Sequence, residues 1–210
     1  MTTLSLFPED NIEPELPPGL IYRPEFITPA DEERLLHEID NQQWLDDLIR
    51  RVQHYGYKYN YKARKIDHSM YLGALPNWIQ DIANTIQAFI ETGESTHGVE
   101  PQLFDQAIVN EYLPGQGISA HIDCEPCFGD IITTLSLGSD TQMQFDLRSG
   151  GERLHVPLAR RSLAILTGPS RYEWLHSINS RKSDTWPVDT GPKVSRSRRV
   201  SITFRSVNVE

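Results

Sequence analysis

His121 and Asp123 are the pair of residues in this chain whose types and spacing most directly suggest chemistry. Side chains alternate along an extended strand, so residues two apart project to the same side. A neutral imidazole and a carboxylate on one face are two of the three ligands of the facial triad that holds non-haem Fe(II). His176 is the candidate third ligand, on condition that a neighbouring strand carries it. A His-x-Asp pair alone also occurs as an ordinary polar pair on a strand, so the rest of the chain must decide.

Arg199 and Arg205 end an alternating run of polar and apolar residues, Arg-Val-Ser-Ile-Thr-Phe-Arg. On a strand, both arginines face the same way as Ser201 and Thr203 between them. Burying them without an anion would be costly, and a guanidinium grips a carboxylate through two hydrogen bonds. Their Cα atoms would lie roughly 20 Å apart, a gap that two long side chains can close around a small dicarboxylate. A small dicarboxylate beside an Fe(II) triad indicates 2-oxoglutarate.

The elements that must position these residues are short strands in the second half of the chain. Alternating or β-branched runs separated by Gly and Pro turns predict strands over residues 104–112, 118–122, 130–137, 142–147, 153–157, 162–166, 173–178 and 200–207. Such a succession of short strands favours a double-sheet jelly roll, also called a double-stranded β-helix. The mouth of a barrel of this size suits a small ligand.

The first half of the chain predicts helices. Thr28 as N-cap and Pro29 at the first helical position begin one helix, which we expect to end near residue 43. A second is predicted from about residue 76 to 92, with Gly93 as its C-cap. We therefore predict a single α+β domain over residues 1–210, with the helices buttressing one sheet. Its predicted parts are an irregular acidic arm (1–19), N-terminal helices with a substrate-lid segment (20–103) and the jelly-roll core (104–207).

Charge and aromatic patterning leave two interpretations open. The net charge is −9, yet residues 50–68 and 181–199 are rich in Lys and Arg, so they are candidates for contact with a phosphate backbone or for solvated loops. Within residues 51–61, tyrosines recur at every second position, at Tyr55, Tyr57, Tyr59 and Tyr61. On one strand they would share a face, which either stacks on bases or packs into the core.

Composition argues against a membrane protein and against a disulfide framework. With 210 residues, two cysteines and no long apolar run, the sequence predicts a cytoplasmic protein with one core and no membrane span. Cys124 and Cys127 form a Cys-x-x-Cys motif that could be half a zinc site, a redox pair or ordinary reduced loop cysteines. Reduced cysteines are the interpretation that we adopt.

Taken together, these motifs resemble the AlkB family of Fe(II)/2-oxoglutarate dioxygenases, which are nucleic-acid dealkylases and their relatives. The residues that carry the resemblance are Asn110-Glu-Tyr112-Leu-Pro-Gly, His121-Ile-Asp123, Leu135-Ser-Leu-Gly138, Leu166-Thr-Gly168 with Trp174 and His176, and Arg199 with Arg205. Within the family, the chain looks most like the oxygenase domain of the tRNA-modifying members, particularly across Ser170-Arg-Tyr-Glu-Trp-Leu-His176.

The resemblance implies a role for each matching residue. His121, Asp123 and His176 would bind iron. Asn110, Tyr112, Arg199, Ser201 and Arg205 would form the 2-oxoglutarate site, the arginines through ion pairs with the carboxylates. Ser201 stands where many repair members carry Asn, so one amide contact is missing. The implied reaction consumes O2 and 2-oxoglutarate, yields succinate and CO2, and hydroxylates a C–H bond; an N-methyl target then loses formaldehyde.

We expect a monomeric enzyme that acts on a modified base in DNA or RNA. Alternatives are the same chemistry on a tRNA wobble side chain, the same chemistry on a protein or small molecule, and a catalytically silent jelly-roll binding module. The expected substrate-binding residues are Glu125, Arg51, Tyr55, Tyr57, Lys62 and Arg64. Glu125 at the pocket rim could accept a hydrogen bond from an exocyclic amine or favour a base made cationic by methylation; the alternative is a solvated loop glutamate.

Overall fold

The computed structural model describes residues 14–46, 48–61, 63–93, 96, 98–188 and 190–209, so most of the predicted acidic arm lies outside the described residues. The helices are α1 (Pro29–Asp40), α2 (Asn77–Thr92) and the short α3 (Gly168–Tyr172), with a 3-10 turn at His68–Met70. The strands are β1 (Leu20–Arg23), β2 (Val52–Tyr55), β3 (Gln106–Tyr112), β4 (Ile118–His121), β5 (Phe128–Leu137), β6 (Thr141–Leu147), β7 (Arg153–Leu158), β8 (Leu163–Leu166), β9 (Trp174–Ile178), β10 (Ser183–Thr185), β11 (Lys193–Ser195) and β12 (Arg199–Val207). Among the described helices, none is long and apolar enough to cross a membrane.

Two antiparallel sheets form the core. Within the described residues, the larger sheet has the order β1-β8-β5-β12-β3-β2 and the smaller one the order β4-β9-β6-β7. Their facing sides share one hydrophobic cluster, in which Ile132 and Leu166 of the larger sheet pack with Phe145 and Trp174 of the smaller sheet. The predicted jelly roll is therefore confirmed.

Both N-terminal helices cover the outer side of the larger sheet, as predicted. Thr28 and Asp31 form a capping box at the start of α1, where each side chain accepts a hydrogen bond from the other residue's backbone amide. α2 buries Ile79, Ile86 and further apolar residues at helical spacing against the sheet. Truncating one such isoleucine to alanine typically costs about 2–5 kcal/mol of stability. The helices thus fix the strands that carry the site.

The tyrosine run is not one strand, and that prediction is wrong. β2 ends at Tyr55 because Gly56 adopts a left-handed φ of +73°, and a Cβ there would lie 1.8 Å from the Asp105 carbonyl oxygen. The chain then turns, and Tyr57 makes only an isolated bridge to Tyr71. The four tyrosines therefore do not share one face.

Candidate active site

Cross-strand pairing brings the two candidate histidine ligands together. β4 and β9 are antiparallel neighbours, and their register places His121 directly opposite His176, with ring centroids 4.4 Å apart. Asp123 follows the end of β4, and potential ligand atoms of His121, Asp123 and His176 all lie within 4.8 Å of one another. The Nδ1 of His121 is 2.7 Å from the Ser119 carbonyl oxygen. Because that contact requires an Nδ1 proton, Nε2 is left as the metal-binding atom.

The electrostatics of this group match what a divalent metal requires of its ligands. Asp123 is buried, which raises its pKa, but the Arg205 guanidinium at 3.2 Å outweighs burial and holds that pKa well below its usual value. Burial, reinforced by His121, lowers the pKa of His176 to about 3. An ionised carboxylate and a neutral imidazole are the protonation states that coordinate metal. The donor set therefore fits a 2-His-1-carboxylate Fe(II) site.

Arg171 is a buried residue of the site that the sequence prediction did not assign, although it lies in the motif before His176. Its guanidinium donates hydrogen bonds to the carbonyl oxygens of Asp123 at 3.0 Å, Cys124 at 3.4 Å and Gly129 at 3.3 Å. These contacts hold the loop that carries the carboxylate ligand.

The inward face of β12 is polar and buried as predicted. Arg199, Ser201, Thr203 and Arg205 are each less than 9% exposed, and all line one cavity of about 850 Å³ that also contains the three candidate ligands. Register places Ser201 opposite Asn110 of β3. Asn110 and Tyr112 line the same cavity.

Arg199 is a buried cation that lacks an anionic partner among the described residues. Its Nη2 donates to Ser136 Oγ at 2.9 Å, and its guanidinium lies 5.4 Å from the Tyr112 ring centroid. Its Nε is buried without a hydrogen-bond partner, and among the described residues no carboxylate forms an ion pair with it. Burial accordingly lowers the pKa of Arg199 to about 10. A carboxylate of 2-oxoglutarate would supply the missing partner, so the pocket fits that dicarboxylate.

The predicted substrate residues divide into two groups. Arg64 and Glu125 line the cavity, together with Tyr59 and Tyr61, which the prediction had not assigned. Glu125 is not a free carboxylate, because Arg148 lies 3.1 Å from it. Both side chains are largely exposed at the mouth.

Arg51, Tyr55 and Tyr57 do not line the cavity. Arg51 forms an ion pair with Glu111 at 2.6 Å and lies over the ring of Trp44. Tyr55 packs edge-on against Trp78 of α2, and Tyr57 packs against Tyr71. Alternation along β2 and the turn at Gly56 direct these side chains away from the cavity. Lys62 lies outside the described residues.

Cys124 and Cys127 form a disulfide, so the interpretation of reduced cysteines is wrong for this structure. The turn in which Cys127 N donates to Cys124 O brings their Cα atoms to 5.2 Å, a separation that a disulfide can bridge. Both sulfur atoms lie 3.4 Å from the Arg64 carbonyl oxygen.

Comparison with known proteins identifies the family. The profile of the 2OG-Fe(II) oxygenase superfamily matches residues 21–205. The alkylated DNA repair protein ALKBH8 homolog of Arabidopsis thaliana is 36% identical over 209 residues, covering 90% of this chain and 58% of that protein. The tRNA (carboxymethyluridine(34)-5-O)-methyltransferase alkbh8 of Xenopus tropicalis is 36% identical over 216 residues, covering 93% of this chain and 33% of that protein. The chain thus spans only part of the length of these relatives.

The fold is also found among solved structures. That of OsALKBH1 superposes with a TM-score of 0.70 at 16% identity, covering 91% of this chain and 100% of that one. The matched profile, the relatives and the metal-ligand geometry agree. The chain therefore belongs to the 2OG-Fe(II) oxygenase superfamily, and within it to the AlkB family of Fe(II)- and 2-oxoglutarate-dependent dioxygenases.

Proposed function

We propose that this dioxygenase demethylates or hydroxylates a modified base in nucleic acid. The observation that carries the proposal is the shared cavity, which is lined both by His121, Asp123 and His176 and by the half-buried aromatic rings of Tyr59 and Tyr61. Aromatic side chains stack on unpaired or flipped bases. The names of the relatives from Arabidopsis and Xenopus refer to DNA repair and to tRNA, which also supports a nucleic-acid substrate.

The proposed roles follow from the positions of the side chains. Bound Fe(II), with 2-oxoglutarate and O2, supplies the oxidising chemistry that hydroxylates a C–H bond while 2-oxoglutarate becomes succinate and CO2. His121, Asp123 and His176, which all line the cavity, would hold the metal.

The dicarboxylate would lie along β12. Arg199 and Arg205 would bind its carboxylates, and Asn110, Tyr112 and Ser201 would orient it by hydrogen bonds. Apolar residues on the cavity wall, among them Ile132 and Leu166, would exclude water from the reaction.

A second candidate function is hydroxylation of the side chain of a tRNA wobble uridine. Glu125 is paired with Arg148, which weakens its attraction for a base made cationic by methylation and leaves a guanidinium at the mouth as well. A neutral base with a polar side chain suits such a mouth better. The name of the Xenopus relative refers to carboxymethyluridine 34 of tRNA, which supports the same candidate.

The experiment compares substrates under identical conditions. The full chain, with Fe(II), 2-oxoglutarate and O2, is incubated with oligonucleotides containing 1-methyladenine or 3-methylcytosine and with a tRNA anticodon stem-loop carrying a C5-carboxymethyl-type uridine. Formaldehyde release identifies demethylation, and a mass gain of one oxygen identifies hydroxylation of the uridine side chain. Succinate formation without product from any of these nucleic acids would contradict the proposed substrate class.

Binding of the nucleic-acid strand at the cavity can be tested with two matched variants. Arg64→Ala should weaken oligonucleotide binding and flatten its salt dependence, because one cation at the mouth is lost. Arg51→Ala removes the same charge from a residue that is bound to Glu111 away from the cavity. Equal effects of the two substitutions would argue against a polymer path across this mouth.

A further inference from the structure

Arg50 lies at the cavity, at the end of the segment that precedes β2. Its Nε donates a hydrogen bond to Asn110 Oδ1 at 2.9 Å, and its guanidinium lies 5.8 Å from the Tyr112 ring centroid. Leu48, Ile49 and Arg50 all line the cavity that holds the candidate metal ligands. Arg50 is thus in contact with both residues of β3 that we assign to 2-oxoglutarate.

The hydrogen bond determines which end of the Asn110 amide faces the cavity. An asparagine side chain has one carbonyl oxygen, which only accepts, and one amino group, which only donates. Because the Asn110 oxygen accepts the hydrogen bond from Arg50, the amino group is the end of the amide that is left to face a ligand. An amino group attracts a carboxylate, whereas an amide oxygen in its place would repel it. Arg50 therefore prepares Asn110 for an anionic ligand.

The segment that carries Arg50 is also tied to β3 at a second point. Gln116, in the turn after β3, donates from Nε2 to the Ile49 carbonyl oxygen at 2.8 Å and accepts from the Leu113 amide at 2.8 Å. These bonds hold the backbone beside Arg50 against that turn. The guanidinium therefore has a defined position, which a residue acting through hydrogen-bond geometry needs.

Arg50 and Arg199 together enclose the Tyr112 end of the pocket. Their guanidinium groups lie 5.8 Å and 5.4 Å from the Tyr112 ring centroid. Among the described residues, no carboxylate forms an ion pair with either arginine. The buried cation of Arg199 beside a donor amide makes this end selective for a carboxylate, and Arg50 acts on it through that amide.

We propose that Arg50 is a positioning residue for 2-oxoglutarate. It holds the Asn110 amide with its amino group toward the carboxylate that would lie at the Tyr112 end of the pocket. This inference rests on the proposed assignment of Asn110 and Arg199 to the cosubstrate. It adds to that assignment a residue from outside the jelly roll, so that occupancy of the cosubstrate pocket and the position of segment 48–50 are linked.

The neighbouring Arg51 provides a matched control. It carries the same charge, but its guanidinium is bound to Glu111 and packed over Trp44, outside the cavity. A general electrostatic effect on an anionic ligand would appear in both single variants. Positioning of Asn110 would appear only in Arg50 variants.

The experiment measures 2-oxoglutarate binding without turnover. The full chain is loaded with Mn²⁺ in place of Fe(II), and the Kd for 2-oxoglutarate is obtained by calorimetry. Arg50→Ala should raise that Kd about tenfold, the equivalent of one charge-assisted hydrogen bond, while the Mn²⁺ affinity stays unchanged. Arg51→Ala should leave both constants unchanged. Arg50→Gln, which keeps a donor without the charge, should recover part of the lost affinity and also serves if the alanine variant folds poorly.

A double-mutant cycle decides whether Arg50 acts through Asn110. Arg50→Ala combined with Asn110→Ala should bind 2-oxoglutarate no more weakly than Asn110→Ala alone. Additive losses, or an unchanged Kd in Arg50→Ala, would overturn the inference. Arg199→Ala separates this failure from that of the proposed site: if it weakens binding and Arg50→Ala does not, only the role of Arg50 is wrong. If neither substitution changes the Kd, the cosubstrate assignment itself falls.

Discussion

The guanidinium of Arg205 lies 3.2 Å from the carboxylate of Asp123, a candidate metal ligand. Arg199, at the other end of the same inward-facing row, has no such partner among the described residues and keeps a buried Nε without a hydrogen bond. The two arginines therefore differ in their role, although both belong to the same alternating motif. We therefore expect Arg205 to connect the candidate metal ligands with the anion pocket, and Arg199 to bind the anion alone.

This difference predicts distinct binding defects. Arg199→Ala and Arg205→Ala should each weaken 2-oxoglutarate binding by roughly 30- to 1000-fold, because a charge-assisted pair in a sheltered site contributes about 2–4 kcal/mol. Only Arg205→Ala should also change Mn²⁺ affinity, since it removes the partner of Asp123. Calorimetry with metal and with dicarboxylate measures the two constants separately. Arg153→Ala, at a surface pair with Asp146, is the control, and unchanged dicarboxylate binding in both cavity variants would contradict the clamp.

His176→Ala should abolish metal binding and 2-oxoglutarate turnover while the fold is retained. The imidazole is one of three converging ligands, and the strand that carries it keeps its pairing with β4 and β6. Mn²⁺ titration and succinate formation measure the loss, and thermal unfolding of the metal-free protein is the control. Succinate production at the wild-type rate would show that the triad is assigned wrongly.

Glu125 and Arg148 should have opposite effects on substrate preference. Glu125→Ala should lower product formation on 1-methyladenine and 3-methylcytosine about tenfold, if its carboxylate accepts from the base or favours its charge. Arg148→Ala frees that carboxylate from its partner at 3.1 Å and should raise the preference for these cationic bases over a neutral uridine by up to about fivefold, as expected for an exposed pair. Competition assays with mixed substrates measure the ratio. The idea that Glu125 senses the base fails if Glu125→Ala demethylates both bases as fast as the wild type.

The buried ion pairs of Asp184 should make the free energy of unfolding depend on pH. Its buried carboxylate joins Arg181 and Arg196 at 2.7 and 2.6 Å; burial raises its pKa, but these arginines outweigh burial and lower it below 3.8. A carboxyl group with a lowered folded-state pKa stabilises the protein above its unfolded pKa, and this contribution disappears as the pH falls through the folded value. Asp184→Asn should therefore cost roughly 3–5 kcal/mol at neutral pH, and the difference from wild type should shrink below about pH 4.

Urea unfolding of both proteins across that pH range provides the measurement. Asp146→Asn, in the more exposed pair with Arg153, is the control and should cost no more than about 1 kcal/mol. A difference between wild type and Asp184→Asn that is independent of pH would refute the ion-pair explanation.

Local rules of sequence determined much of this protein. Alternation along a strand was enough to place the inward row from Arg199 to Arg205 on one face. The spacing of His121 and Asp123 indicated a metal site, although Asp123 lies just beyond the end of β4 and strand alternation does not place it. Capping residues and helical spacing located α1 and α2. These predictions succeed because side-chain direction within one element depends only on its own backbone geometry.

Other features depend on contacts between residues that are distant in the sequence. Sequence spacing did not determine that His176 would lie opposite His121, because the register of β4 on β9 results from packing of the whole smaller sheet. The sequence likewise did not show that Arg50 would line the cavity while Arg51 pairs with Glu111 outside it. The turn at Gly56, where the Asp105 carbonyl oxygen leaves no room for a Cβ, broke the tyrosine row. Only the tertiary structure decided these points, because register, facing and close approach are set by the partner element and not by the local pattern.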